Sequence, residues 1–253
     1  MIRWNKFILA FLVAFLSGSA TAVAQQAASL RRYVDAANGA YANDGLSWAQ
    51  AKNNIQEAIN DLAAYMAARG LTEGGEVFVA EGTYSPTEGT EEGSTLFASF
   101  KMSPGIAVYG GFPAGGGGIE DPADRPMKDG SRYGWQFLHE TVLSGDLLAS
   151  SPATFAWSDE DQTYTTAFPS NVYHVVWFAT AGFDAGGKPV ALSREAVLDG
   201  FTIKHGHAAD ATLSGRHYSR GGGVYLVDGG VVRNCIVTEN AAVERGGGIY
   251  LDG

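Results

Sequence analysis

A single cysteine, Cys235, stands in the whole chain, so no disulfide can form within it. Burial and backbone hydrogen bonds must therefore hold the fold by themselves. Proline is scarce beside glycine, eight against 34, which points to many tight turns and not to a disordered or collagen-like chain. Basic residues are outnumbered, 17 Lys and Arg against 27 Asp and Glu. An acidic surface without a basic patch repels phosphate backbones, which argues against nucleic-acid binding. It also disfavours acidic polysaccharides, while neutral glycans and cationic partners stay open. The apolar run Phe7 to Leu16 falls short of the ~20 residues that cross a bilayer.

That run has a different reading. Arg3 and Lys6 precede it, and Ser17 to Ala24 come after it, ending in the small-residue pattern Ala22-Val23-Ala24. Such a layout predicts a cleaved signal peptide over 1–24, with the mature chain starting at Gln25. Its removal leaves 15 basic against 27 acidic residues, a net charge of about −12.

Residues 25–31 read as a linker and 32–75 as an N-terminal cap. The cap comprises a short strand at Arg32 to Asp35, a polar loop from Ala36 to Leu46, and a helix. Ser47 with Gln50 forms a capping box that opens this helix. Trp48, Ile55, Ile59, Leu62 and Met66 give one apolar stripe, and Gly70 stops it. An amphipathic helix must lie on something, and the remainder of the chain, 76–253, is almost all strand. Short β-branched or aromatic runs alternate there with glycine and polar turns, as at Val77 to Val79, Ile106 to Tyr109 and Thr141 to Leu143.

Repetition decides the architecture. Gly221-Gly222-Gly223-Val224-Tyr225-Leu226 recurs as Gly246-Gly247-Gly248-Ile249-Tyr250-Leu251, 25 positions later. Val197 to Ile203 matches Val231 to Val237 at an offset of 34. The difference of nine residues falls in one inserted loop, roughly Ala208 to Tyr218, because Gly206 to Gly221 spans 15 positions where Asn240 to Gly246 spans six. A unit of this length marks a repeat architecture. It contains no helix, lacks leucine-rich spacing, and is shorter than a propeller blade of ~40 residues. The fit is a coil of three short strands, each stacked on its equivalent in the next coil at ~4.8 Å. Cys235 then lies over Phe201 and Val237 over Ile203, while Thr202 and Ile236 point outward. The helix is placed to cap the N-terminal end of such a stack, and the motif at Gly253 predicts that the natural protein continues.

Several segments, in order, carry a resemblance: Arg32-Tyr33-Val34-Asp35, Asn43-Asp44-Gly45-Leu46-Ser47-Trp48, Val77 to Tyr84, and Val108-Tyr109-Gly110-Gly111-Phe112. Val197 to Ile203, Asn234-Cys235, Asn240-Ala241 and Gly246 to Tyr250 complete it. Together they resemble bacterial pectin-lyase-like proteins with polymorphic outer membrane protein type repeats. The resemblance implies an all-β, right-handed parallel β-helix solenoid with an N-terminal capping helix. It also implies a secreted or outer-membrane-associated surface protein, adhesin-like or glycan-binding, attached through a region beyond Gly253. Its expected partners are an extracellular glycan or a host or cell-surface protein. The same fold also carries polysaccharide lyases and glycoside hydrolases, so family alone does not fix the activity.

Candidate chemistry is sparse. Asp35, Asn43 and Asp44, with Asn38, offer oxygen ligands that calcium could use, although plain turns favour the same residues. No other cofactor is implied. His205, His207 and His217, near Asp210, Arg216 and Arg220, could supply an acid or base or a zinc pair, and alternation would put His205 and His207 on one strand face. Asp199 aligns with Arg233, which argues against a catalytic aspartate; Asp146, Asp159, Glu160 and Asp161 are further carboxylates with nothing in sequence to pair them. Gly115 to Gly118 lacks the lysine of a phosphate loop and reads as a turn. Trp135, Phe137, Trp157, Tyr164 and Phe168 could stack on sugar rings or seal loops.

Overall fold

The computed structural model describes residues 30–87, 95–129, 136–148, 154–158, 163–167, 171–178, 195–209, 217–227 and 229–252. The proposed signal peptide at 1–24 lies outside them, as do Trp135, Asp159, Glu160, Asp161, Phe168, Asp210 and Arg216. The described residues are β-rich, with mostly parallel strands and a single α-helix. None of their helices is long and apolar enough to cross a membrane.

The chain starts with β1 (Arg31–Val34) and α1 (Ile55–Ala67). It then runs β2 (Gly75–Ala80), β3 (Gly82–Tyr84), β4 (Phe100–Lys101). Next come β5 (Ile106–Phe112), β6 (Thr141–Ser144), the hairpin β7 (Thr154–Ser158) and β8 (Thr163–Ala167), and β9 (Val176–Phe178). The third run is β10 (Ala196–Asp199), β11 (Thr202–Lys204), β12 (His207–Ala208), β13 (Val224–Val227). The fourth is β14 (Gly230–Arg233), β15 (Ile236–Val237), β16 (Ala241–Ala242), β17 (Ile249–Asp252). Pairing sorts these into sheets of order β1-β2-β5-β10-β14, β3-β6-β11-β15 and β4-β9-β13-β17, with a small β12-β16 pair. Each run thus gives one strand to each large sheet, and every pairing between these strands except the β7–β8 hairpin is parallel.

Both sequence offsets reappear as registers. Val197 pairs with Val231 and Ile203 with Val237, at 34; Val224 pairs with Ile249 and Leu226 with Leu251, at 25. Alternate residues point into one core of Val77, Val79, Val108, Leu143, Phe178, Leu198, Phe201, Ile203 and Val224, with Cys235 and Val237 packed at its end. The glycine triplets let neighbouring backbones close together: a Cβ on Gly222 would lie 2.1 Å from the Ala241 carbonyl oxygen, and one on Gly223 would lie 2.5 Å from that of Gly248.

Two features of residues 32–75 stand out. Their strand is part of the largest sheet, since β1 pairs with β2 from Arg31 to Val34. Their helix is also shorter than expected. Ser47 Oγ does accept from the Gln50 N–H, at 3.3 Å, but caps only a 3-10 turn, Trp48–Gln50. The chain then extends because the Lys52 N–H donates to the Tyr33 carbonyl and the Asp35 N–H to that of Lys52. Asn54 caps the true helix, its Oδ1 accepting from the Glu57 N–H at 3.0 Å. Ile55, Ile59, Leu62 and Met66 enter the main core. Trp48 leaves that stripe and joins Tyr33, Phe78 and Phe112 on the other face of the sheet. Gly70, at φ 65°, ends the helix, with the Leu71 N–H donating to the Met66 carbonyl.

Candidate functional site

The outward face of β6, β11 and β15 carries a solvent-open cleft of about 180 Å³. Parallel register sets it up. Leu143, Ile203 and Val237 turn inward, so Thr202 and Ile236 turn out and form the floor with Gly200 and Asn234. Lys128 and the segment Gln136 to Glu140 form the wall. That wall is braced by an antiparallel bridge between Met127 and Phe137, with the Lys128 N–H donating to the Gln136 carbonyl at 2.7 Å.

Beneath the wall lies a buried ion-pair network. Arg125, 6 % exposed, reaches Asp199, 2 % exposed: Nη2 donates to Oδ1 at 3.0 Å, and Nη1 donates to the Gly110 carbonyl at 2.6 Å. Arg233 Nε donates to Asp199 Oδ2 at 2.6 Å and Asn234 Nδ2 to Oδ1 at 3.1 Å. Bonding to Asp199 raises the Arg233 pKa further. Phe137 lies over the Arg125 guanidinium at 4.2 Å. Gly200 makes room for both, because a Cβ there would sit 2.6 Å from Arg125 Nη1 and 2.9 Å from the Phe137 ring. Asp199 is therefore a structural anion that fixes the corner under the cleft.

Polar groups on the rim are held in place. Glu140 Oε1 accepts from Thr202 Oγ1 at 2.7 Å, and His139 Nδ1 bonds Glu81 Oε2 at 3.0 Å. The bond to His139 holds the Glu81 carboxyl below its ordinary range, helped by the Ala114 N–H. A site meant to enclose a drug-sized molecule is typically ~300–1,000 Å³, so this smaller, open cleft suits one segment of an extended ligand.

The acidic loop is engaged in building itself. Asp35 is buried; Oδ1 accepts from the Ala37 and Asn38 N–H groups, and Oδ2 from Asn38 Nδ2 and the Gly115 N–H. Burial opposes its ionisation, but these donors prevail and lower the pKa. Asn43 Nδ2 donates to the Ala51 carbonyl, and Asp44 Oδ1 accepts from the Leu46 N–H. Among the described residues no group of three or more His, Cys, Asp or Glu side chains is arranged to hold a metal.

The histidines are dispersed. His205 does not share a strand face with His207, because β11 ends at Lys204 and His205 turns at φ 65° before β12. His207 has its pKa lowered by burial. His217 is buried against Tyr218 and Trp177. His205 instead meets two residues distant in sequence: Nδ1 faces Ser144 Oγ at 3.1 Å and Nε2 faces Glu239 Oε2 at 3.0 Å. Asp146 Oδ1 accepts from the Leu148 N–H. Trp157 and Tyr164 pair across the hairpin. Sequence spacing gives no sign of Arg125, Glu140 or the Ser144 contact. Comparison with known protein families, curated proteins and solved structures finds no match.

Proposed function

We propose that this chain is a secreted or cell-surface right-handed parallel β-helix scaffold that binds a neutral extracellular glycan in the cleft over β6, β11 and β15. The three-sheet rotation, with Ile203 over Val237 and Val224 over Ile249, supports the coil. Binding rests on the lining of the cleft. Gln136, Glu140, Thr202 and Asn234 present amide, carboxylate and hydroxyl groups beside the Phe137 ring, a set that matches the hydroxyls and apolar face of a sugar. Lys128 and Glu140 offset each other, which favours an uncharged ligand.

Binding of the mature chain to a panel of neutral polysaccharides, by calorimetry with and without calcium, tests this. Glu140→Gln combined with Gln136→Ala should weaken the best ligand ~10-fold, the loss of one or two hydrogen bonds, with the melting temperature kept. Absence of binding to every member sinks the reading. Release of reducing or unsaturated ends would instead identify a polysaccharide lyase or hydrolase. The N-terminal sequence of the exported protein should begin at Gln25.

A further inference from the structure

Ser144, His205 and Glu239 form a relay that glycan binding does not use. They lie 61 and 34 residues apart in sequence and meet only because β6, β11 and β15 stack. With Nε2 protonated, the His205 ring donates to the Glu239 carboxylate and its Nδ1 lone pair accepts the Ser144 hydroxyl. That is the proton arrangement a base needs to activate a hydroxyl, with a carboxylate orienting the ring from behind. The nitrogens are exchanged relative to the usual serine-hydrolase order, but the logic requires only that one accept while the other donates.

Two further observations bear on it. His205 and Glu239 both occupy the left-handed region, at φ 65° and 54°. The neighbouring corner meets the same demand with Gly200 (φ 87°) and Asn234 (φ 51°), residues that tolerate it. Histidine adopts that backbone more readily than most residues, but glutamate is strained in it, and such strain concentrates at functional sites. The second is access. Ser144 is 5 % exposed, while the His205 and Glu239 side chains are 20 % and 52 % exposed, so the relay opens to solvent through the base. Lys204 is the register partner of Ser144, and the Asp146 N–H donates to Ser144 Oγ at 3.3 Å.

We propose that Ser144 is a nucleophile, His205 its general base and Glu239 the positioning residue of a site that hydrolyses esters of small acyl groups such as acetyl. Ser144 Oγ attacks the ester carbonyl carbon while its proton passes to His205 Nδ1. The carbonyl oxygen takes up the negative charge, beside the Asp146 N–H. The bond to the alcohol oxygen breaks, and the alcohol leaves with the proton from His205. Water then gives a proton to His205, attacks the acyl-serine and releases the carboxylic acid, restoring the Ser144 hydroxyl. At 5 % exposure Ser144 leaves room only for a small acyl group.

The full mature chain, treated with a fluorophosphonate probe and digested, should carry the phosphonyl group on Ser144 by mass spectrometry. It should hydrolyse p-nitrophenyl acetate and turn over the butyrate at least ~10-fold more slowly, a factor worth ~1.4 kcal/mol in the barrier. Ser144→Ala should abolish labelling and turnover. Ser144→Cys, which keeps the shape of the site, should move labelling to iodoacetamide. His205→Asn, tolerant of the left-handed backbone, should lose at least ~100-fold in kcat, the usual share of a general base. Glu239→Gln should lower kcat with KM unchanged, and Glu239→Asp should recover part of it. A wild-type chain that neither labels nor turns over acetate overturns the assignment, as does turnover that survives Ser144→Ala. Both readouts use small esters, so they are independent of whether the cleft binds glycan.

Discussion

The β13 and β17 strands carry nearly the same sequence in two different surroundings. Val224 is fully buried and Tyr225 2 % exposed, whereas Ile249 is 46 % and Leu251 60 % exposed. β13 is flanked by β9 and β17; β17 pairs on one side only, among the described residues. The motif thus sets which way each side chain points, and the neighbouring strand supplies the burial.

Core truncation should break that symmetry most visibly. Phe201→Ala, at a site 2 % exposed, is expected to cost ~3–5 kcal/mol, while Leu251→Ala should stay within ~1 kcal/mol, both read by denaturant unfolding. Equal costs would mean that β17 is covered in solution. The ion pairs divide the same way. Asp199→Ala leaves Arg125 buried without its counter-charge and should lose ~3–5 kcal/mol. Glu244→Gln, at the more accessible Arg220 pair (2.8 Å), should lose under ~1 kcal/mol.

Smaller effects separate strain from collision. Gly116 and Gly118 have φ values of 76° and 77°, but a Cβ on Gly116 would lie 2.0 Å from the Trp48 indole nitrogen, and one on Gly118 meets nothing within 4 Å. Gly118→Ala should cost ~1 kcal/mol for the backbone alone, and Gly116→Ala measurably more, by thermal unfolding. Acid should then act through His174, buried against Trp177 and Tyr225. Burial pushes His174 down to about 3 from 6.5, while its Nδ1 bonds the Gly221 carbonyl at 2.9 Å. The unfolded chain takes up this proton first, so the contribution is complete above pH 6.5 and is lost as pH falls towards 3. The slope is at most ~1.4 kcal/mol per pH unit, and His174→Phe should flatten it.

The strand stack is legible in the sequence because Val197 to Ile203 and Gly221 to Leu226 repeat at offsets that are also the registers. The start of the helix is not, because Ser47 satisfies a capping rule locally, while Lys52 is drawn into extended pairing with β1, a tertiary effect. Alignment with Arg233 is enough to discount Asp199 as a catalytic group, but its partner Arg125 comes from a segment with no repeat counterpart. Ser144 and Glu239 stay hidden for the same reason as the cleft: spacing says which strands stack, not which side chains meet at a corner.

Offsets of 34 and 25 coexist between the same two runs, with the nine extra residues confined between β12 and β13. Segment length at that position is therefore decoupled from the lattice of strands. A peptide of foreign sequence inserted between β12 and β13 would leave the hydrogen-bond ladder on either side untouched, which makes this connection a natural socket for displayed epitopes and a place where related chains can diverge without refolding.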